Sequence, residues 1–190
     1  MIILTGFGPY GKYTTNLSSE IVKKLQFDNE AFQIRREIIP VSWKQSIKSY
    51  KTLLSELKSE PDLVVLLGIH SGDKIYLEKF GWNFKVGDDK EKKFKFGPIK
   101  VYSPPWIKTT LNLNKIYSNL EDKTKISISY FPGLYLCNYL YYWALSLSKK
   151  EYPVIFIHIP DKGNISEYVQ KVKMILRSII KIHLKRDLYV

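Results

Sequence analysis

Met1-Ile2-Ile3-Leu4-Thr5-Gly6-Phe7-Gly8-Pro9-Tyr10-Gly11 opens the chain, and Leu63-Val64-Val65-Leu66-Leu67-Gly68-Ile69-His70-Ser71-Gly72, further in, is built the same way. In each, a short apolar run stops at a glycine-containing turn. Such runs, with no polar alternation, read as strands covered on both faces. The first is placed at Ile2 to Thr5 and the second at Leu63 to Leu67. Ala31 to Ile39, stopped by Pro40, Ile126 to Tyr130 and Val154 to Ile159 read as further strands; Ile75 to Phe84, with Gly81 inside, reads as a strand or hairpin arm. Helical stretches separate them. One is capped at Asn16 or Ser18 and runs to about Leu25, a second covers Trp43 to Leu57, and a third opens at Pro104-Pro105 and runs to about Leu120. A fourth covers Leu134 to Ser148, and a basic amphipathic helix runs from about Ser166 to Lys185. Residues 85–98, polar and glycine-containing, read as an exposed loop. Strands alternating with helices predict an α/β protein: a three-layer sandwich around a twisted, largely parallel (mixed) sheet. With no internal repeat or linker, residues 1–190 are expected to form a single domain.

Composition narrows the function. Hydrophobic residues make up 45% and charged residues 25%, a balance that fits a globular domain rather than a disordered one. No apolar run approaches the ~18 residues of a membrane span. The start also lacks the basic region that precedes a secretion signal, so a cytoplasmic location is expected. A net charge of +12 raises the question of nucleic acid. The lysines, however, are spread along the chain, and the densest stretch, Asp88-Asp89-Lys90-Glu91-Lys92-Lys93, mixes both signs. That pattern suits a solvated segment better than a binding stripe. A basic nucleic-acid-binding module, which salt would weaken steeply, therefore stands as a remote alternative.

Cys137 is the one cysteine, which excludes an internal disulfide and a thiolate zinc site. It is either an inert core residue or a reactive thiol. Ligands in open α/β sheets bind beyond the carboxyl ends of the strands, and the single cysteine and two of the three histidines fall there on the predicted elements. Pro132-Gly133 breaks the chain just before the fourth helix, leaving Cys137 near its first turn, where free N–H groups and the helix dipole favour a thiolate. His158 stands between Ile157 and Ile159 on a strand. It is either a core histidine bonded to backbone or the imidazole that pairs with the thiol. A third group, usually a carboxylate, orients such a ring. Glu78 is a candidate, against the plainer reading of a solvent-facing residue paired with Lys74 or Lys79. His70, at the rim, either faces the pocket or is a structural or solvated loop histidine, the second being the commoner case, and His183 reads as a surface residue.

Thr5 to Gly11 followed by Asn16 and Ser18, Leu77-Glu78-Lys79-Phe80-Gly81-Trp82-Asn83, Gly133-Leu134-Tyr135-Leu136-Cys137-Asn138 and Phe156-Ile157-His158-Ile159-Pro160 occur in that order. Together they resemble the motifs of the pyrrolidone-carboxylate peptidase (pyroglutamyl peptidase type I) family, nearly end to end. The resemblance implies a cysteine peptidase that removes an N-terminal pyroglutamyl residue from peptides. It maps a catalytic triad onto Cys137, His158 and Glu78, and two lactam-gripping aromatic rings onto Phe7 and Tyr10. It requires no metal or organic cofactor and implies a homo-oligomer, commonly a tetramer. A flat, neutral lactam suits aromatic faces with a few directed hydrogen bonds.

The chain also departs from the family pattern. Tyr10 stands where the family usually has Phe, and Phe131-Pro132 where Ser or Asp then Ala is common. Ile69 lies in the region of a frequent Gln, and Asp88 at the position of a frequent arginine, which neither Lys85 nor Lys90 is nominated to replace. These departures motivate the alternative of a diverged or weakly active homologue acting as another cysteine amidohydrolase.

Overall fold

A computed structural model of the chain describes residues 1–11, 14–27 and 32–184. Ala31 and Lys185, named above as the ends of a strand and a helix, lie outside them. Six strands form the central sheet: β1 (Ile2–Phe7), β2 (Ile34–Ile39), β3 (Leu63–His70), β4 (Ile75–Glu78), β9 (Ile126–Ser129) and β10 (Val154–Pro160), in the order β2-β1-β3-β10-β4-β9. The first four in that order run parallel. β4 pairs antiparallel with β10 and parallel with β9, so the sheet is mixed.

Side-chain alternation sorts the strands onto two faces. Ile2, Leu4, Val65, Leu67, Ile155 and Ile157 point one way, into a core with α1 (Leu17–Lys24), α3 (Leu113–Ser118) and α5 (Ile165–Ile179). Ile3, Phe7, Val64, Leu66, Val154 and Phe156 point the other way, against α2 (Trp43–Ser55) and α4 (Leu136–Ser148). Both faces are covered, which is why Leu63 to Leu67 can be wholly apolar and wholly buried. Asn16, Ser42 and Asn164 cap α1, α2 and α5, their side chains accepting from first-turn N–H groups. Ser18 sits inside α1 instead, and its Oγ accepts from Phe7 N at 3.0 Å, tying the helix to the end of β1.

Outside the sheet the structure corrects two expectations. Residues 85–98 are not an open loop: β6 (Lys85–Asp88) and β7 (Phe94–Gly97) form an antiparallel hairpin. Pro104-Pro105 does not open a helix either. The chain stays extended into β8 (Trp106–Lys108), which pairs with β5 (Phe80–Trp82), and only Leu113–Ser118 is helical. Proline presets its own φ and pushes the residue before it towards extended backbone, so strand pairing was available to this segment. At the far end α5 runs on into a π-helical turn, Ile180–Leu184. There His183 is partly exposed, with Nε2 accepting from Asn112 N at 2.9 Å. Burial and the nearby Lys115 lower its pKa. No helix among the described residues is long and apolar enough to cross a membrane.

Candidate active site

His158 and Glu78 come from neighbouring strands. Phe156 lies opposite Glu78 and His158 opposite Tyr76, so His158 and Glu78 are diagonal neighbours on the face that meets α4. There His158 Nδ1 and Glu78 Oε1 are 2.7 Å apart. Both residues are buried, at 5% and 1% exposure, so Glu78 is not the solvent-facing partner of a lysine. Burial alone would depress the pKa of His158. Hydrogen bonds and charge interactions with Cys137 and Glu78 outweigh it and raise the imidazole to about 9. Tyr141 O–H donates to the main-chain oxygen of Glu78 at 2.8 Å, joining α4 to the strand that carries the carboxylate.

Cys137 is the second residue of α4 and half-buried. Gly133, with φ of 79°, is in the left-handed region and turns the chain towards the helix. Tyr135 at the N-cap offers no side-chain acceptor to the first-turn N–H groups, which leaves them free for an anion. The sulfur lies over Gly68, which pairs with His158 across β3 and β10. A Cβ at Gly68 would stand 2.8 Å from Cys137 Sγ and 2.6 Å from Phe156 Cζ. The missing side chain is what lets the thiol settle onto the sheet. The sequence offered no sign of this role, since Gly68 looked like the turn that ends a strand.

Cys137, His158 and Glu78 are therefore brought together, though not quite where the strand-end rule expects them. β9 runs antiparallel to β10, so its carboxyl end points away from the edge where β3 and β10 end. Cys137 sits over the face of the sheet rather than at its rim. His70, expected in a loop, is the last residue of β3. Its Nε2 lies 2.7 Å from Lys74 O, and its ring centroid is 5.7 Å from that of His158.

Phe7 and Tyr10 share an apolar cluster with Cys137, Tyr135, Tyr139 and Trp43. Phe7 is buried and Tyr10 half-buried. The Tyr10 ring tilts against Tyr135 at 5.8 Å, and Trp43 meets Tyr135 and Tyr139 edge-on at 5.4 and 5.2 Å. The hydroxyl that distinguishes Tyr10 from Phe donates to Asp88 O at 3.3 Å, and Tyr135 O–H donates to the same carbonyl at 2.5 Å. Asp88 thus serves this cluster through its backbone, while its side chain is exposed. Lys85 Nζ bonds Pro98 O, and burial lowers its pKa. Ile69, by strand alternation, points to the face opposite Cys137. Phe131 is exposed and Pro132 buried. Asn138, the residue after the cysteine, is wholly buried. Its side chain accepts from Trp82 N and donates to the carbonyls of Trp82 and Phe84, each at 2.8 Å, locking α4 onto the segment after Glu78. Among the described residues no cluster of three or more His, Cys, Asp or Glu is arranged to hold a metal.

Comparison with known proteins agrees with this architecture. A family model described as pyroglutamyl peptidase matches residues 1–178. Pyrrolidone-carboxylate peptidase of Pyrococcus furiosus is 31% identical over 168 residues, 84% of this chain and 80% of the relative. Its counterpart in Brevibacillus brevis is 29% identical over 95% of this chain and 87% of the relative. Among solved structures, pyrrolidone carboxyl peptidase from Thermococcus litoralis superposes with a TM-score of 0.85 at 23% identity, covering 100% of this chain and 97% of that one. A mutant of the Pyrococcus furiosus protein gives the same TM-score at 25% identity, covering 95% and 98%.

Proposed function

The chain belongs to the pyroglutamyl peptidase family of cysteine peptidases, and from that premise we propose that it removes N-terminal pyroglutamyl residues from peptides through a Cys137-His158-Glu78 triad. The observation that carries this reading is the buried 2.7 Å pair of His158 and Glu78, on the sheet face over which the only sulfhydryl lies.

Glu78 occupies Nδ1 of the imidazole, which leaves Nε2 for the sulfur. In the first step Nε2 of His158 takes the thiol proton, and Sγ attacks the carbonyl carbon that links pyroglutamate to the next residue. Negative charge gathers on the oxygen, where the uncapped N–H groups at the start of α4 would meet it. One such donor is worth roughly 3 kcal/mol in hydrolases. The C–N bond then breaks as His158 delivers its proton to the departing amine, leaving a thioester on Cys137. Water gives a proton back to His158 and attacks the thioester, the C–S bond breaks, and pyroglutamate leaves with the thiol restored. Glu78 keeps the ring oriented and stabilises its charged form.

The lactam is assigned to the aromatic cluster that holds Phe7 and Tyr10, because pyroglutamate brings no α-ammonium that would need a carboxylate. The reaction as drawn uses no metal or cofactor. A cytoplasmic, single-domain subunit in a homotetramer completes the reading. Phe94, Phe96, Tyr102, Trp106, Tyr130 and Phe131 are all exposed, and exposed rings of this kind are what a subunit interface would cover.

A fluorogenic pyroglutamyl amide tests the reading. Release is expected, and alkylation of Cys137 is expected to abolish it. Folded protein that releases nothing would favour a diverged amidohydrolase with a different substrate.

A further inference from the structure

Beyond His158, on the side away from Phe7 and Tyr10, two more rings stand on the same face of the sheet. His70 follows Gly68 by two residues on β3, so it shares Gly68's face. Tyr76 lies directly opposite His158 on β4. The two rings are tilted against each other with centroids 4.9 Å apart, and His70 meets His158 edge-on at 5.7 Å. The His70 ring is fixed in orientation, because its Nε2–H donates to Lys74 O at 2.7 Å. Gly72 lies against the His70 ring, and both His70 and Tyr76 are partly exposed, so the pair is reachable from solvent. Neither has a part in the chemistry described above, and neither belongs to the motifs that carry the family resemblance.

The strand order gives the pair a direction. β1, which ends in Phe7, lies on one side of β3; β10 and then β4 lie on the other. If the lactam rests towards Phe7 and Tyr10, the scissile carbonyl stands over Cys137. The amine that His158 protonates then faces β10, and the residue carrying that amine continues over β10 and β4. The first side chains it meets past His158 are those of His70 and Tyr76.

We infer that His70 and Tyr76 form the subsite for the residue that follows pyroglutamate, and that this subsite selects a flat aromatic side chain over a small one. The inference rests on the pyroglutamyl peptidase reading. Its basis is the open, oriented ring pair: aromatic faces and edges at such distances favour another ring by an amount that corresponds to about twofold to tenfold in affinity.

The test compares kcat/KM for pyroglutamyl-phenylalanine amide and pyroglutamyl-alanine amide. The unmodified protein is expected to favour the phenylalanine substrate about tenfold, and His70→Ala and Tyr76→Ala each to reduce that ratio about threefold, mainly through KM. A general loss of packing or of imidazole alignment would slow both substrates together and leave the ratio where it was. A ratio near one in the unmodified protein, or an undiminished ratio in both variants, would overturn the subsite while leaving the peptidase reading intact. Failure to release pyroglutamate from either amide, or from a fluorogenic one, would overturn the reading itself and the subsite with it.

Discussion

The two sides of Cys137 are built by different means. On the β10 side, Gly68, His158 and Glu78 are carried by central strands, and their separations follow from backbone pairing. On the β1 side, Tyr10 follows the end of its strand and Tyr135 caps a helix, and both hydroxyls hang on the carbonyl of Asp88 in the β6–β7 hairpin. That hairpin is anchored in turn by Asp89. Its buried carboxylate accepts from Trp43 N, Glu91 N and Lys93 N at 3.0, 2.9 and 3.0 Å. Burial opposes the charge on Asp89, yet these bonds leave its pKa below the usual value. Proton transfer, the role proposed for His158 and Glu78, needs hydrogen-bond geometry, and both stand on paired strands of the central sheet. Holding a flat ring, the role proposed for the other side, needs only apolar walls: Phe7 ends β1, and Tyr10 sits on the loop that follows, where Tyr for Phe is absorbed.

If that contrast is right, damage on the strand side should far exceed damage on the loop side. The largest effect is expected from Glu78→Gln, which keeps the shape but removes the charge. A fall in kcat of roughly 10³-fold is expected, with KM little changed. The pH profile gives a second reading. The folded-state pKa of His158 is about 9, above its usual 6.5, so the stabilisation of the charged imidazole is complete below about 6.5 and is lost as pH rises through 9. In the variant the alkaline limb should move to lower pH, which a pH–rate series would detect. A variant within tenfold of the parent at every pH would remove Glu78 from the mechanism.

An intermediate effect is expected from Gly68→Ala. The added methyl meets Cys137 Sγ and Phe156 Cζ at distances that force one of them to move. Overpacking of this kind costs about 1 to 3 kcal/mol of stability. A displaced sulfur should lower kcat by about ten- to a hundredfold, an effect of misplacement by fractions of an ångström. Thermal melts and steady-state kinetics on the same sample separate the two losses. The smallest effect belongs to the loop side: Tyr10→Phe loses one long, half-exposed hydrogen bond, worth under about 1 kcal/mol. KM for a pyroglutamyl amide should change less than about threefold. A larger change would mean that the Tyr10 hydroxyl touches substrate.

The same contrast explains what the sequence made legible. The buried strands announced themselves by unbroken apolar runs, and Cys137 and His158 were visible as one thiol behind a chain break and one imidazole among isoleucines. Glu78 was harder, because spacing alone cannot tell a buried carboxylate from one beside a lysine; only its diagonal pairing with His158 decides. The hairpin at 85–97 was hidden because it stands off the core. Phe94 and Phe96 are exposed, and the surrounding lysines give the composition of a solvated loop. β8 was missed because two prolines can precede a strand as readily as a helix, and its partner Phe80–Trp82 is remote in sequence. The role of Gly68 left no trace, since a glycine needed for close approach looks the same as one needed for a turn.

The alignment of His158 with Gly68 on one neighbour and Tyr76 on the other makes function hostage to strand offset. Successive side chains on a strand face opposite ways, so sliding β10 by a single residue would send the imidazole into the α1–α5 core and present Ile157 or Ile159 to the sulfur. A form slipped by one residue would lack the proposed pairing of imidazole and thiol. Recovered turnover after refolding therefore counts the molecules whose innermost strands have docked in the correct frame, which a spectroscopic measure of β content would not distinguish.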